Sequence, residues 1–194
     1  WPALTPCVAP KGPCWRAGLE GCGVRVSSGG PAPGLLTPVW FCGPAPPEAP
    51  GLVFYRQPIA PDLTIADKAI PWDAVRDVPV FWVTGTGASV EPARTSQLAM
   101  LKHRGCPEAG SGRHTVLDLD WRPMLWSSPD QATAEYDAML DHVTVALGNR
   151  AEVEVAVGTS DPDEAATRLL DHGLELALVK MGSEGVLVAT PERR

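Results

Sequence analysis

Between Leu52 and Ala189 short apolar runs alternate with amphipathic stretches of helical length, and this alternation most limits what the chain can fold into. Leu52–Arg56, Val78–Thr84, His114–Leu119, Val143–Leu147, Leu174–Lys180 and Gly185–Ala189 read as strands. Glu91–Arg104, Asp130–His142, Asn149–Val157 and Asp161–His172 read as helices. Pro92 lies near the start of the first of these, and Asp130 and Asp161 are the expected caps of the second and fourth. Strands alternating with helices predict βαβ units: an α/β fold with a three-layer, Rossmann-like, mostly parallel sheet and helices on both faces. In such a sheet ligands bind beyond the carboxyl ends of the strands, so the polar residues just after each strand are the candidates for chemistry.

Residues 1–50 break this pattern. They hold 11 of the 21 prolines, 8 of the 19 glycines and four of the five cysteines, with only five charged residues and no Asp. Pro and Gly at that density interrupt both helix and strand patterns. The expected organisation is therefore a Pro/Gly-rich segment over 1–50, disordered or translated from a shifted frame, ahead of a folded region over 51–194.

Charge and composition exclude several functions. A formal charge of −7 disfavours a general nucleic-acid or anionic-membrane binder, which needs a basic surface to meet phosphates. No apolar run reaches the roughly 18 residues of a membrane span, and no basic-then-apolar leader is visible. The cysteines form no CxxC pair, which weakens a zinc or redox reading, and their odd number suits reduced, cytoplasmic thiols. The four histidines lack metal-ligand spacing.

Three constellations stand at strand ends. Asp118-Leu-Asp120-Trp-Arg122-Pro-Met-Leu-Trp126 puts two carboxylates and a guanidinium together, and Arg122 can grip a carboxylate or phosphate as a bidentate fork. The plainer reading is a turn with an internal Asp–Arg pair. Asn149-Arg-Ala-Glu152 opens a helix. It reads either as a capping box or as a phosphate and cation site, and one helix start can serve both. Lys180-Met-Gly182-Ser-Glu-Gly185 reads either as a β-turn between strands or as a glycine turn that lets backbone approach a ligand.

The D-L-D-W-R-P-M-L-W run resembles the strand-end motif of ribokinase-type (PfkB-type) sugar-acid kinases, in the form found in the 5-dehydro-2-deoxygluconokinase branch. The related 2-keto-3-deoxygluconate kinases more often carry Asn where this chain has Asp120. Further motifs agree in order: Phe54-Tyr55-Arg56-Gln57-Pro58 followed by Ala60-Pro61-Asp62-Leu63, and Thr84-Gly85-Thr86 with Ser89, Glu91, Pro92 and Arg94. The Asn149–Glu152 and Lys180–Gly185 segments match the same family.

The resemblance implies a ribokinase-like fold, incomplete in this chain, and ATP-dependent phosphorylation of a keto sugar acid at its 6-hydroxyl. It implies that Tyr55, Arg56, Asp118, Asp120 and Arg122 bind the sugar acid. Asn149, Lys180, Gly182 and Gly185 would bind nucleotide, and Glu152 would hold Mg2+ through water. The implied partners are the sugar acid and ATP, with no nucleic acid and no membrane, and dimers are common among such kinases. The family's proton acceptor lies in a G-A-G-D run. None of the 194 residues forms one, so the expectation is a chain without turnover, either a kinase fragment or a non-catalytic binding module.

Overall fold

The computed structural model describes residues 12–30, 32–42, 52–56, 59–108 and 110–193, which divide into two compact units, 1–71 and 72–194. Of the expected motifs, Gln57 and Pro58 lie outside the described residues, as do 1–11 and 43–50 of the Pro/Gly-rich segment. In the first unit, helix α1 (Gly12–Gly21) precedes an antiparallel pair, β1 (Val39–Cys42) with β2 (Leu52–Tyr55), in which Val39 faces Tyr55 and Phe41 faces Val53. Both α1 and β1 arise where composition predicts interruption.

The second unit carries α2 (Trp72–Asp77), β3 (Val80–Thr84), α3 (Ala93–Arg104), β4 (His114–Asp118) and α4 (Pro129–Leu140). They are followed by β5 (Val145–Asn149), α5 (Arg150–Val157), α6 (Pro162–Asp171), β6 (Leu176–Lys180) and β7 (Val186–Ala189). Its five strands lie in the order β3-β4-β5-β6-β7, parallel except for the antiparallel β6–β7 pair. The expected mostly parallel α/β sheet is present.

Local chemistry moves some boundaries. The cap of α4 is Ser128, not Asp130: its hydroxyl accepts the Gln131 amide at 3.1 Å. Pro129 suits the first helical position, since it has no N–H to leave unpaired, and this places the cap one residue earlier. Strand β5 starts at Val145, because Val143 closes the turn after α4 with its amide on the Leu140 carbonyl. Asp161 caps α6 as expected, accepting the Glu164 amide at 2.9 Å.

Strand side chains alternate between faces. On one face Val83, Leu117, Ala146, Ala177, Val179 and Ala189 join Leu101, Tyr136, Met139, Leu140, Val153 and Leu169 of α3–α6 in a single core. The buried Arg104 secures the amino-terminal ends of the strands. It donates to the Thr115 hydroxyl and to the carbonyls of Val75, Arg76, Pro79 and His114. The opposite face presents Val80, Trp82, Val116, Val145, Leu147, Leu176 and Leu178 around a shallow apolar hollow. Trp82, Val186 and Val188 are each about half exposed there. Of the two expected helix layers, the described helices of this unit supply the one over the core.

Candidate functional site

Parallel pairing brings the carboxyl ends of β3–β6 into line. Thr84 pairs with Asp118, Asp118 with Leu147, and Asn149 with Lys180. Asp118, Asp120, Arg122, Asn149, Glu152, Lys180, Gly182 and Gly185 therefore share the end of the sheet predicted to form the crevice.

Asp120 and Arg122 form an ion pair, Nη2 to Oδ1 at 2.5 Å, so the plain reading of an internal pair is realised in the turn. Asp120 takes a φ of +35°, the only positive value at a non-glycine among the described residues. The pair holds one end of the planar guanidinium and thereby orients the rest of it. Oδ1 of Asp118 is buried and receives no hydrogen bond, although the Lys180 ammonium stands 3.7 Å away. An ammonium at that distance attracts the carboxylate without satisfying its lone pairs.

Asn149 and Glu152 complete a capping box. The Asn149 side chain accepts the Glu152 amide at 3.0 Å, and the Glu152 carboxylate accepts the Asn149 amide at 2.7 Å. Lys180 lies 3.6 Å from the same carboxylate, so it stands between Asp118 and Glu152. The capping-box reading is realised, and the start of α5 is a fixed, partly positive helix end beside an ammonium. The Gly182–Gly185 segment is also the turn that reverses the chain from β6 to β7. Gly182 and Gly185 have φ of +62° and +98° with open space around each, and Glu184 of the turn pairs with Arg150 at 3.0 Å.

No three Asp, Glu, His or Cys side chains cluster as a metal site among the described residues. Oε2 of Glu152 already takes the Asn149 amide and faces Lys180. This donor set does not fit direct coordination of magnesium, which needs several oxygen ligands.

The remaining expected residues belong to the first unit. Arg56 is ion-paired with Asp62, which comes from the Ala-Pro-Asp-Leu segment quoted with it. Tyr55 is exposed, with its ring edge-on to Phe41 at 5.8 Å. Two hydroxyls outside the expected set, those of Thr86 and Tyr136, reach the backbone of the Asp118–Arg122 turn. Their contacts span 34 and 17 residues, so although Thr86 lies in a quoted motif, neither hydroxyl's partner is announced by local pattern.

Comparison with known proteins agrees with this architecture. The chain is 27% identical over 147 residues to a 5-dehydro-2-deoxygluconokinase of Halalkalibacterium halodurans, covering 74% of this chain and 43% of that protein. It is 29% identical over 147 residues to the Shouchella clausii protein of the same name, covering 75% and 44%. The chain thus spans under half the length of these curated relatives. The structure superposes on a PfkB protein from Polaromonas sp. with a TM-score of 0.80 at 17% identity, over 98% of this chain and 63% of that one. It also superposes on a Vibrio cholerae fructokinase in fructose-, ADP- and calcium-bound form, with a TM-score of 0.76 at 20% identity, over 97% and 59%. These superpositions show the fold, which is ribokinase-like. Among the described residues no helix is long and apolar enough to cross a membrane. Residues 43–194 match the model of the pfkB family carbohydrate kinases, and the chain belongs to that family.

Proposed function

We propose that the crevice at the carboxyl ends of β3–β6 binds a keto sugar acid beside the phosphates of ATP. The whole protein would then phosphorylate the acid at its 6-hydroxyl, as a 5-dehydro-2-deoxygluconokinase. The observation that carries this reading is the buried Oδ1 of Asp118, which lacks a hydrogen-bond donor while lying beside Lys180 and two residues from the Asp120–Arg122 pair. A buried acceptor without a partner costs free energy, and the Asp118 side chain is 25% exposed, so a ligand hydroxyl can reach its carboxylate.

In this reading Arg122, oriented by Asp120, takes the sugar-acid carboxylate, and Asp118 accepts from a sugar hydroxyl. Asn149 and the start of α5, Lys180 and the glycine turn Gly182–Gly185 take the nucleotide phosphates. Contact through water is the role left to Glu152 toward a magnesium ion that arrives with ATP. Phosphoryl transfer depends mainly on positioning and charge stabilisation, and these residues supply that part. The names of the 27% and 29% identical relatives support the substrate, as does Asp120 at the position where 2-keto-3-deoxygluconate kinases more often carry Asn. No Gly-Ala-Gly-Asp run occurs among the 194 residues, so for this chain alone the proposal is binding without turnover.

Titration calorimetry with 5-dehydro-2-deoxygluconate tests it. Saturable binding that is at least about tenfold weaker in Arg122→Ala supports the reading, a loss of about 1.4 kcal/mol. Equal affinity in the two proteins overturns it.

A further inference from the structure

The Thr84–Arg94 turn is conspicuous in the sequence, yet the reading above gives it no task. The structure places it against the back of the Asp118–Arg122 turn. Three successive carbonyls of that turn each accept from a different donor. The Gly85 amide donates to Asp118 at 2.8 Å, the Tyr136 hydroxyl to Leu119 at 2.8 Å, and the Thr86 hydroxyl to Asp120 at 3.0 Å. The support is itself secured. The Ser89 hydroxyl donates to the Thr86 carbonyl at 2.8 Å, and Arg94 donates to the carbonyls of Ala88 at 3.0 Å and Ser89 at 2.6 Å.

The approach is close enough to explain the residue types. A Cβ on Gly85 would fall 2.1 Å from the Leu119 carbonyl oxygen and 2.6 Å from the Tyr136 ring. What the three donors hold is an unfavourable backbone. Asp120 sits at φ +35°, where an L-residue is strained, and such a conformation persists only when its surroundings over-determine it. The Asp120 side chain in turn holds Arg122.

We propose that the Thr86 and Tyr136 hydroxyls are positioning residues that set the Asp120–Arg122 pair for a sugar-acid carboxylate. This rests on the acid site proposed above and deepens it, because it names what gives the site its preference for an acid over a neutral sugar. Without the two hydroxyls the peptide at Asp120 relaxes to negative φ, Asp120 leaves Arg122, and the fork loses its fixed direction. The Thr86 and Tyr136 hydroxyls donate to Asp120 and Leu119, not to Asn149, Glu152 or Lys180, so the capping box at that end keeps its geometry. Filling the core is a separate property of Tyr136, whose ring meets that of Trp126 with centroids 5.8 Å apart, and phenylalanine preserves it.

The test compares wild type, Thr86→Val with Tyr136→Phe, and Thr86→Ser as the variant that keeps a hydroxyl. Affinities for 5-dehydro-2-deoxygluconate, for fructose as a neutral ketose and for ADP are measured by calorimetry. The double variant should bind the acid at least about tenfold more weakly, a loss of about 1.4 kcal/mol. Its fructose and ADP affinities should stay within about twofold, and Thr86→Ser should restore wild-type behaviour. Unchanged acid affinity in the double variant, or equal losses for all three ligands, overturns the inference. If wild type binds no acid, the function proposed above fails, and hydrogen exchange of residues 118–122 then decides this inference alone. Protection lost in the double variant and regained with Thr86→Ser sustains the positioning role, and unchanged protection refutes it.

Discussion

Nζ of Lys180 stands 3.6 Å from Oε2 of Glu152, a residue only 4% exposed. A buried carboxylate needs a compensating charge and hydrogen bonds, and Lys180 and the Asn149 amide supply them. Replacing Lys180 with methionine removes the charge and keeps the stem. Breaking a fully buried pair costs about 3–5 kcal/mol. Lys180 is partly solvated, so the expected loss in urea unfolding is about 1–2 kcal/mol. ADP affinity should fall about tenfold, or 1.4 kcal/mol. Unchanged stability and unchanged ADP affinity would remove Lys180 from the site.

Gly85 and Gly148 both pack under the Asp118–Arg122 turn, but they should respond differently to alanine. A Cβ at Gly85 meets a backbone carbonyl at 2.1 Å, whereas one at Gly148 meets the end of the Leu119 side chain at 2.7 Å. Backbone cannot yield as a side chain can, so Gly85→Ala should cost more than the usual overpacking loss of about 1–3 kcal/mol, and Gly148→Ala less than Gly85→Ala. Thermal unfolding of the two variants checks the order.

Tyr136 should impose a loss of stability at high pH. Burial, followed by the nearby Glu152 charge, raises its phenol well above the ordinary value of 10.0. As pH rises past 10.0 the unfolded chain gives up this proton before the folded one, so the unfolded state gains and stability falls. The contribution is whole below that pH and disappears as pH climbs through the raised folded value. The stability of wild type relative to Tyr136→Phe should therefore be level below pH 10.0 and decline above it. A difference that stays flat across that range would contradict the burial of an uncharged phenol.

The half-exposed apolar face of the sheet should make the chain adhesive. Trp82, Val186 and Val188 lie about half exposed around the hollow lined by Val80, Val116, Val145, Leu147, Leu176 and Leu178. Contiguous apolar surface of this kind promotes association. Changing Trp82 and Val188 together to threonine should lower self-association in sedimentation and lower binding of an apolar dye. It should move the unfolding midpoint little, since both side chains are already half in water.

How much of this was legible in the chain depends on the range of the interaction. Asp161 and Pro162 announce the start of α6 locally, and the Asn149–Glu152 spacing announces its capping box. Strands β3–β6 are visible because their apolar runs are short and bounded by Gly, Pro and polar residues. The Ser128 cap was hidden behind Asp130, because either residue can cap and only the position of Pro129 decides between them. Helix α1 and strand β1 were hidden by prolines and glycines that fall mostly around them. The sequence placed Asp118, Asp120, Arg122, Asn149, Glu152 and Lys180 at strand ends one by one, and parallel register brings them together. The tasks of Arg104, Thr86 and Tyr136 were not legible, because each is defined by backbone carbonyls distant in the chain.

The central claim is that these strand ends form a sugar-acid site whose anchor is Arg122. Calorimetric titration of 5-dehydro-2-deoxygluconate and of ADP into wild type and Arg122→Ala tests it most directly. The account predicts saturable acid binding to wild type, a loss of at least about tenfold in the variant (1.4 kcal/mol), and equal ADP affinity in both. Acid binding that is absent from wild type, or unaltered by the substitution, would contradict it.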